Sequence, residues 1–326
     1  MDISIVIPTK NAGPLFEQVL TAIETQKTNF EYEIICVDSG SKDNTVDIIK
    51  RHKNVKLFEI LPQEFGHGKT RNYGAAQGTG EYIVFITQDA LPASDVWLEQ
   101  LVSVVKRDPL CVGAFGIHYP YEDCNIFDKR DLKAHFDGFG ENDAYYWISD
   151  CKKYREEEGY RHFLCFYSDN NSCMRRSIWE RYPYDDVDFA EDQFWSRKMI
   201  ELGYHKGYAA HAPVYHSHNY KIRSYFYRYY DEYKGLYRLH QYCMHSSFWL
   251  VPPAIMHHVA SDFRYVKSLK NTLSFRERIY WRFYSIGRNL SRYIGAWFGG
   301  HYHQYPPGKQ ARLDRWFSQQ KRQINT

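Results

Sequence analysis

Short runs of apolar, β-favouring residues alternate with amphipathic stretches through the first 118 residues, and nothing else in the chain constrains its fold as strongly. Ile3–Ile7, Glu33–Val37, Val55–Ile60, Tyr82–Ile86 and Cys111–His118 are too short for helices and rich in Val or Ile, so they read as strands. Between them, Gly13–Gln26, Asp43–Arg51, Lys69–Gln77 and Ser94–Arg107 read as helices, with Ser41 or Asp43 and Ser94 placed as N-caps. Such alternation implies the α/β class with a parallel sheet. Open sheets of this kind bind ligands beyond the carboxyl ends of their strands, where this chain has the polar turns Pro8–Asn11, Asp38–Asp43 and Thr87–Asp89.

Beyond residue 118 the pattern weakens. Residues 119–162 mix charge, aromatics and Gly without clean periodicity, as in an insertion or mobile loop near a substrate. Regularity returns at Phe163–Met174 and Arg175–Arg181, followed by an acidic loop at 185–192, a helix about Gln193–Leu202 and a strand near Tyr208–His216. From Ile222 to Arg292 the pattern is helical, broken at Pro252–Pro253. A length of 326 residues accommodates one sizeable core and a second element.

The net charge of +3 conceals two unlike parts. Residues 1–218 hold 24 Lys+Arg against 34 Asp+Glu, whereas residues 219–326 hold 18 against 5, so the two parts face different partners. Seven cysteines, an odd number without CxxC spacing, point to neither a zinc ribbon nor a full disulfide framework and fit a reducing compartment. MDISIVIPTK lacks the basic and long apolar regions of a secretory signal, and no apolar run approaches the roughly 20 residues of a membrane span. The expected location is cytoplasmic, at most peripheral on the inner face of the cell membrane.

Several residues have the chemistry of a site. Asp38 ends the second strand, where a carboxylate can accept from a nucleoside; the plainer reading is a turn Asp. Pro8, Thr9 and Asn11 leave strand one at the same edge. Gly66-His-Gly-Lys-Thr-Arg-Asn72 opens a helix with two glycines and three basic side chains, a combination able to meet a diphosphate although it lacks P-loop spacing. Asp89 follows an apolar strand and can coordinate a hard divalent ion. In Glu191-Asp192, one carboxylate can deprotonate an alcohol while hydrogen bonds orient the other; paired acids also suit a helix start. His216 and His218 stand two apart on one face, as metal or phosphate ligands or as structural histidines.

Taken in order, SIVIPTKN, VDSGSKDNT, GHGKTRN, FITQDALP, AEDQFWSRKMIELGY and VYHSH resemble an inverting family 2 glycosyltransferase over about residues 1–218. The resemblance implies a GT-A fold, a Rossmann-like mixed sheet flanked by helices, as catalytic domain 1–218, followed by a helical region 219–326. It implies that Pro8, Thr9, Asn11, Asp38, Lys69, Arg71, Gln88 and Glu191 contact a nucleotide-sugar donor and that Asp192 is the catalytic base. Asp89 would match the second acid of the family's DxD motif and hold Mg2+ or Mn2+ with His216 or His218. Thr87 stands where that motif has its first acid. The wording of GHGKTRN and TQDALP resembles bacterial rhamnosyltransferases, which use dTDP-β-L-rhamnose in surface polysaccharide synthesis. UDP-sugar transfer of galactosyl, glucosyl or N-acetylhexosaminyl groups is the alternative, with nucleotidyl transfer or a non-enzymatic binding module behind it.

The tail interleaves cations with aromatics, as in Lys221-Ile-Arg-Ser-Tyr-Phe-Tyr-Arg. That pattern suits an anionic membrane surface and a lipid-linked saccharide acceptor. Packing of helices against one another, or a homo-oligomer, explains the same aromatics. Nucleic acid is not the expected partner, because the chain carries no RNA- or DNA-binding motif and its first part is acidic.

Overall fold

The computed structural model describes residues 1–187 and 189–319; Asp188 of the acidic run and residues 320–326 of the tail lie outside the described residues. The chain forms two compact units, Met1–His218 and Asn219–Thr326.

In the first unit the alternating segment folds as β1 (Ile3–Thr9), α1 (Leu15–Glu24), β2 (Tyr32–Asp38), α2 (Thr45–Arg51), β3 (Val55–Glu59), α3 (His67–Ala76), β4 (Tyr82–Ile86), β5 (Leu91–Pro92), α4 (Trp97–Arg107) and β6 (Cys111–Tyr119). There follow α5 (Ile126–Asp137), β7 (Ala144–Tyr146), α6 (Cys151–Glu156), α7 (Glu158–Cys165), β8 (Asn171–Arg175), α8 (Arg176–Arg181), α9 (Glu191–Glu201) and β9 (His205–Tyr215). One sheet runs β3-β2-β1-β4-β8-β6-β9-β5, with β7 paired to β9.

Strands β1, β2 and β4 are almost wholly buried because both faces of the sheet are covered there, whereas the edge strand β3 is only partly buried. Ile3, Ile5 and Ile7 face α1, α2 and α4, while Val6 on the opposite pleat joins Ile83, Phe85 and Phe115. Helix α1 buries Phe16, Val19, Leu20 and Ile23, a stripe with helical period.

The sheet is mixed, as the family resemblance implies and the alternation of elements alone does not, since β8 runs antiparallel to both β4 and β6. The chain leaves β6 at the carboxyl edge and re-enters β8 from that same edge, which fixes the reversed direction. Residues 119–162 are not a loop: they form α5, β7, α6 and the start of α7. These elements are short and pack around an aromatic cluster, including Phe115 and Phe139 at 5.0 Å, which hides their periodicity. The buried Lys206 ammonium caps α7 by donating to the carbonyls of Phe163, Leu164 and Phe166. Asn44, rather than Ser41 or Asp43, precedes α2, and Ser94 serves the turn into α4 by accepting from the Val96 N–H at 3.2 Å.

The second unit contains α10 (Ile222–His240), α11 (Val251–Ser268), α12 (Phe275–Gly300) and α13 (Pro307–Phe317). Gly295 and Gly299 let α12 approach α10, because a Cβ at either would strike the backbone of Phe226 or Tyr230. Asp314 accepts from the Tyr230 and Tyr302 hydroxyls and from Lys234, each at 2.9 Å. Asp262 ties α11 to α12 through Ser285 at 2.7 Å and Asn289 at 2.8 Å. Pro252 and Pro253 open α11 rather than break a helix, consistent with the tolerance of a first turn for Pro; the interruption lies in the preceding residues.

Candidate active site

The turns after β1, β2 and β4 are stitched together at one sheet edge. Pro8 and Thr9 end β1, and Thr9 pairs in register with Asp38. The Asp38 carboxylate accepts from Thr9 Oγ1 at 3.1 Å, the amides of Gly40 at 3.0 Å and Ser41 at 2.8 Å, and Ser41 Oγ at 2.5 Å. An ionised carboxylate has about four acceptor sites, so Asp38 is fully engaged in shaping this turn. Asn11 adopts φ 47°, a left-handed conformation that Asn tolerates, and its Oδ1 accepts from the Lys42 amide at 2.7 Å. Gln88 joins the β4 turn to the β1 turn, accepting from Lys10 N at 2.8 Å and donating to Lys10 O at 3.1 Å.

The GHGKTRN segment faces inward more than its composition implies. Gly68 allows α3 to lie against the Asp185 backbone, and Asn72 donates to Tyr184 O at 2.8 Å. Lys69 forms an exposed ion pair with Asp186 at 2.7 Å. Arg71 is buried, donating from Nη1 to Glu191 Oε1 at 2.7 Å with its Nε 3.3 Å from Asp169 Oδ2. Its charge is therefore committed to carboxylates within the unit.

Those carboxylates surround Asp192. Its Oδ2 accepts from the Asp169 amide at 3.3 Å and its Oδ1 from the Gln193 amide at 2.8 Å. Asp169 Oδ1 accepts from Tyr184 at 2.6 Å and Ser172 at 3.0 Å. Burial, reinforced by the charges of Asp169 and Glu191 and opposed by Arg71, raises the Asp192 pKa well above the ordinary carboxylate value. Burial likewise raises Asp169, to about 6, against the pull of Arg71. A carboxyl so tuned binds a proton readily, as a general base requires.

The third cluster joins the ends of β4 and β9. His216 Nδ1 lies 3.5 Å from Asp89 Oδ1, and His218 Nδ1 lies 3.7 Å from Asp89 Oδ2. Asn170 Nδ2 reaches His216 Nε2 at 3.1 Å. Asp169 and Asn170, adjacent in sequence, thus connect the Asp192 cluster to the Asp89 cluster. Neither was a candidate in the sequence, where both fall inside the regular segment Phe163–Met174; the one signal was the run of polar residues Ser168-Asp-Asn-Asn-Ser172 within it.

Residues 4–182 match the family described as glycosyl transferase family 2. The chain belongs to that family. The O-antigen chain rhamnosyltransferase RfbN of Salmonella typhimurium is 38% identical over 235 residues, 71% of each chain. WbaN of Salmonella anatum, also an O-antigen chain rhamnosyltransferase, is 33% identical over 233 residues, 70% of each. Among solved structures, the Pyrobaculum calidifontis mannosyltransferase PcManGT in complex with GDP-Man and Mn2+ has a TM-score of 0.57 at 16% identity, covering 91% of this chain and 86% of that one. S. aureus TarS 1–349 in complex with UDP-GlcNAc gives 0.52 at 12% identity, with 93% and 92% covered. These neighbours share the GT-A fold, the mixed sheet flanked by helices.

For a family 2 glycosyltransferase, the donor set at Asp89 fits a divalent cation. One ligand atom from each of Asp89, His216 and His218 lies within 4.8 Å of the others. His216 Nδ1 is buried without a hydrogen-bond partner, as expected of a nitrogen reserved for a metal. Thr87 Oγ1 is likewise buried and unpartnered, so the position of the family's first acid contributes no charge. One carboxylate with two imidazoles favours Mn2+ over Mg2+, which prefers all-oxygen ligation.

Proposed function

We propose that this glycosyltransferase moves L-rhamnose from dTDP-β-L-rhamnose to a hydroxyl of a lipid-linked saccharide in bacterial surface polysaccharide synthesis. The observation that carries the choice of sugar is the 38% identity, over 71% of the chain, to an O-antigen chain rhamnosyltransferase. The reaction class draws support from the raised Asp192 carboxyl, joined through Asp169 and Asn170 to Asp89 and His216.

Asp192 takes the proton of the acceptor hydroxyl as that oxygen attacks the anomeric carbon. The dTDP leaves from the opposite face, so a β-donor gives an α-rhamnoside. Glu191, held by Arg71, fixes the first turn of α9 and so orients Asp192. Pro8, Thr9, Asn11 and Gln88 line the nucleotide side, with Asp38 shaping their turn. A cation held by Asp89, His216 and His218 would neutralise charge developing on the diphosphate. Lys69 stands at the start of α3, its weak surface pair with Asp186 open to exchange for a phosphate.

Peripheral contact with the inner face of the membrane is supported by α12. Phe275 and Phe283 are 69% and 71% exposed, and with Ile279, Ile286 and Leu290, also exposed, they form an apolar stripe at helical spacing. Arg276, Arg278 and Arg282 accompany it, the pattern of an interfacial helix meeting anionic lipid. Among the described residues, no helix is long and apolar enough to cross a membrane.

A screen of dTDP-L-rhamnose, UDP-galactose, UDP-glucose and UDP-N-acetylglucosamine with Mn2+, read by donor hydrolysis and thermal shift, tests the donor assignment. Selective stabilisation and turnover with dTDP-L-rhamnose are expected. Turnover of a UDP-sugar alone would replace the rhamnosyl reading with the UDP-dependent one.

A further inference from the structure

Two adjacent asparagines enter β8, and their amides meet opposite kinds of partner. Asn171 is buried and its orientation is fixed: Oδ1 accepts from the Trp97 indole N–H at 2.9 Å, and Nδ2 donates to Ala212 O at 2.8 Å. An indole only donates and a carbonyl only accepts, so that amide has one possible orientation. Asn170 instead faces His216 Nε2 at 3.1 Å. A ring nitrogen either accepts an N–H or donates its own, so the Asn170 amide satisfies it in two orientations.

Those orientations have opposite consequences at the other ring nitrogen. A neutral imidazole carries one proton. When Asn170 donates to Nε2, the proton lies on Nδ1, directed at Asp89 Oδ1 3.5 Å away. When Asn170 presents its carbonyl, Nε2 holds the proton and the Nδ1 lone pair faces Asp89 and His218 as a metal ligand. The Asn170 backbone is fixed meanwhile, because the Asn171 amide donates to Ser168 O at 3.1 Å and buried Asp169 and Asn171 flank it. The movable part is the amide.

We propose that Asn170 is a positioning residue that selects the His216 tautomer, its side-chain amide turning over as a divalent cation binds. Metal-ligating histidines are oriented by the partner of their other nitrogen, and losing that partner typically weakens metal affinity about 10–100-fold. An amide able to turn stabilises the metal-free site as well as the metal-bound one.

The inference rests on reading Asp89, His216 and His218 as a cation site, and the test separates the two. Two-bond 1H–15N spectra of 15N-histidine-labelled protein report each tautomer directly, and electron paramagnetic resonance reports Mn2+ binding in the presence of dTDP. Metal-free wild type is expected to show His216 protonated at Nδ1. Asn170→Asp, an obligate acceptor, is expected to show Nε2 protonation before any metal is added and to bind Mn2+ more tightly. Asn170→Leu is expected to lose the tautomer preference and to bind Mn2+ about 10–100-fold more weakly. Equal weakening in both variants, an Nε2-protonated ring in metal-free wild type, or unchanged Mn2+ affinity in Asn170→Leu would each overturn the inference while leaving the cation site intact. Failure of wild type to bind Mn2+ would overturn the site reading and the inference together.

Discussion

Arg71 Nη1 donates to Glu191 Oε1 at 2.7 Å across 120 positions of sequence, and the same guanidinium stands 3.3 Å from Asp169. One buried cation thus serves three acids, with Asp192 the third. Burial is the main reason that Asp169 and Asp192 hold protons more firmly than ordinary carboxyls, and because the cation is outnumbered, protonation of a member of the cluster also relieves the excess negative charge.

Asp192→Asn keeps the size of the side chain and removes its basicity. Sugar transfer is expected to fall about 10²–10⁴-fold, the usual worth of a positioned base. Affinity for dTDP, measured by calorimetry, is expected to stay near that of wild type. Wild-type turnover in this variant would remove Asp192 from the base role.

The pH dependence follows with a definite sign. A base works deprotonated, so kcat/KM is expected to rise with pH through a midpoint above the ordinary carboxylate range, and Asp192→Asn is expected to abolish that limb. Folding stability runs the other way. A raised pKa means that the folded state binds more protons than the unfolded one, so the Asp169 contribution to stability is present below the unfolded value of about 4 and is lost as pH rises through about 6. Denaturant melts across that window, compared between wild type and Asp169→Asn, measure it. A wild-type profile with no greater loss of stability than the variant would contradict the assigned shift.

Arg71→Gln leaves buried acids without their cation. Breaking one side of a buried pair typically costs about 3–5 kcal/mol, so the melting temperature is expected to fall by several degrees. The activity limb is also expected to move to higher pH, since Arg71 opposes the rise at Asp192. Adding Glu191→Gln is expected to recover part of the lost stability by removing one uncompensated charge. A double variant no more stable than Arg71→Gln alone would show that the pair is not coupled.

These relationships were unevenly legible in the sequence. Strands β1, β2 and β4 announced themselves because burial on both faces of the sheet leaves a largely apolar run, and Asp89 and Asp192 stood out as acids at element boundaries. Asp38 was visible but its bonds were not: Thr9 Oγ1 approaches it from a strand 29 residues away, a pairing set by sheet register. Arg71 looked like a phosphate ligand since composition shows charge without direction. Asp169 and Asn170 were hidden inside the regular segment 163–174, and their importance comes from partners distant in sequence, Asp192 and His216. The helices at 126–165 escaped notice because their aromatics pack around one another rather than along one helical stripe.

The α12 surface leads to the last prediction. Burying a Phe side chain is worth about 1.5–3 kcal/mol, and each cation near an anionic leaflet adds about 1 kcal/mol. Phe283→Asp, at a position 71% exposed, removes an anchor, adds a repelled charge and disturbs no core contact. Binding to phosphatidylglycerol vesicles is expected to weaken at least tenfold with the melting temperature unchanged. Raised salt is expected to weaken wild-type binding too, since screening acts on the Arg276, Arg278 and Arg282 share of the attraction. Unchanged vesicle binding in Phe283→Asp would reject the α12 surface. A wild-type dimer that this substitution dissociates, seen by sedimentation equilibrium without vesicles, would assign the stripe to a second copy of the chain, because only a protein partner buries it in the absence of lipid.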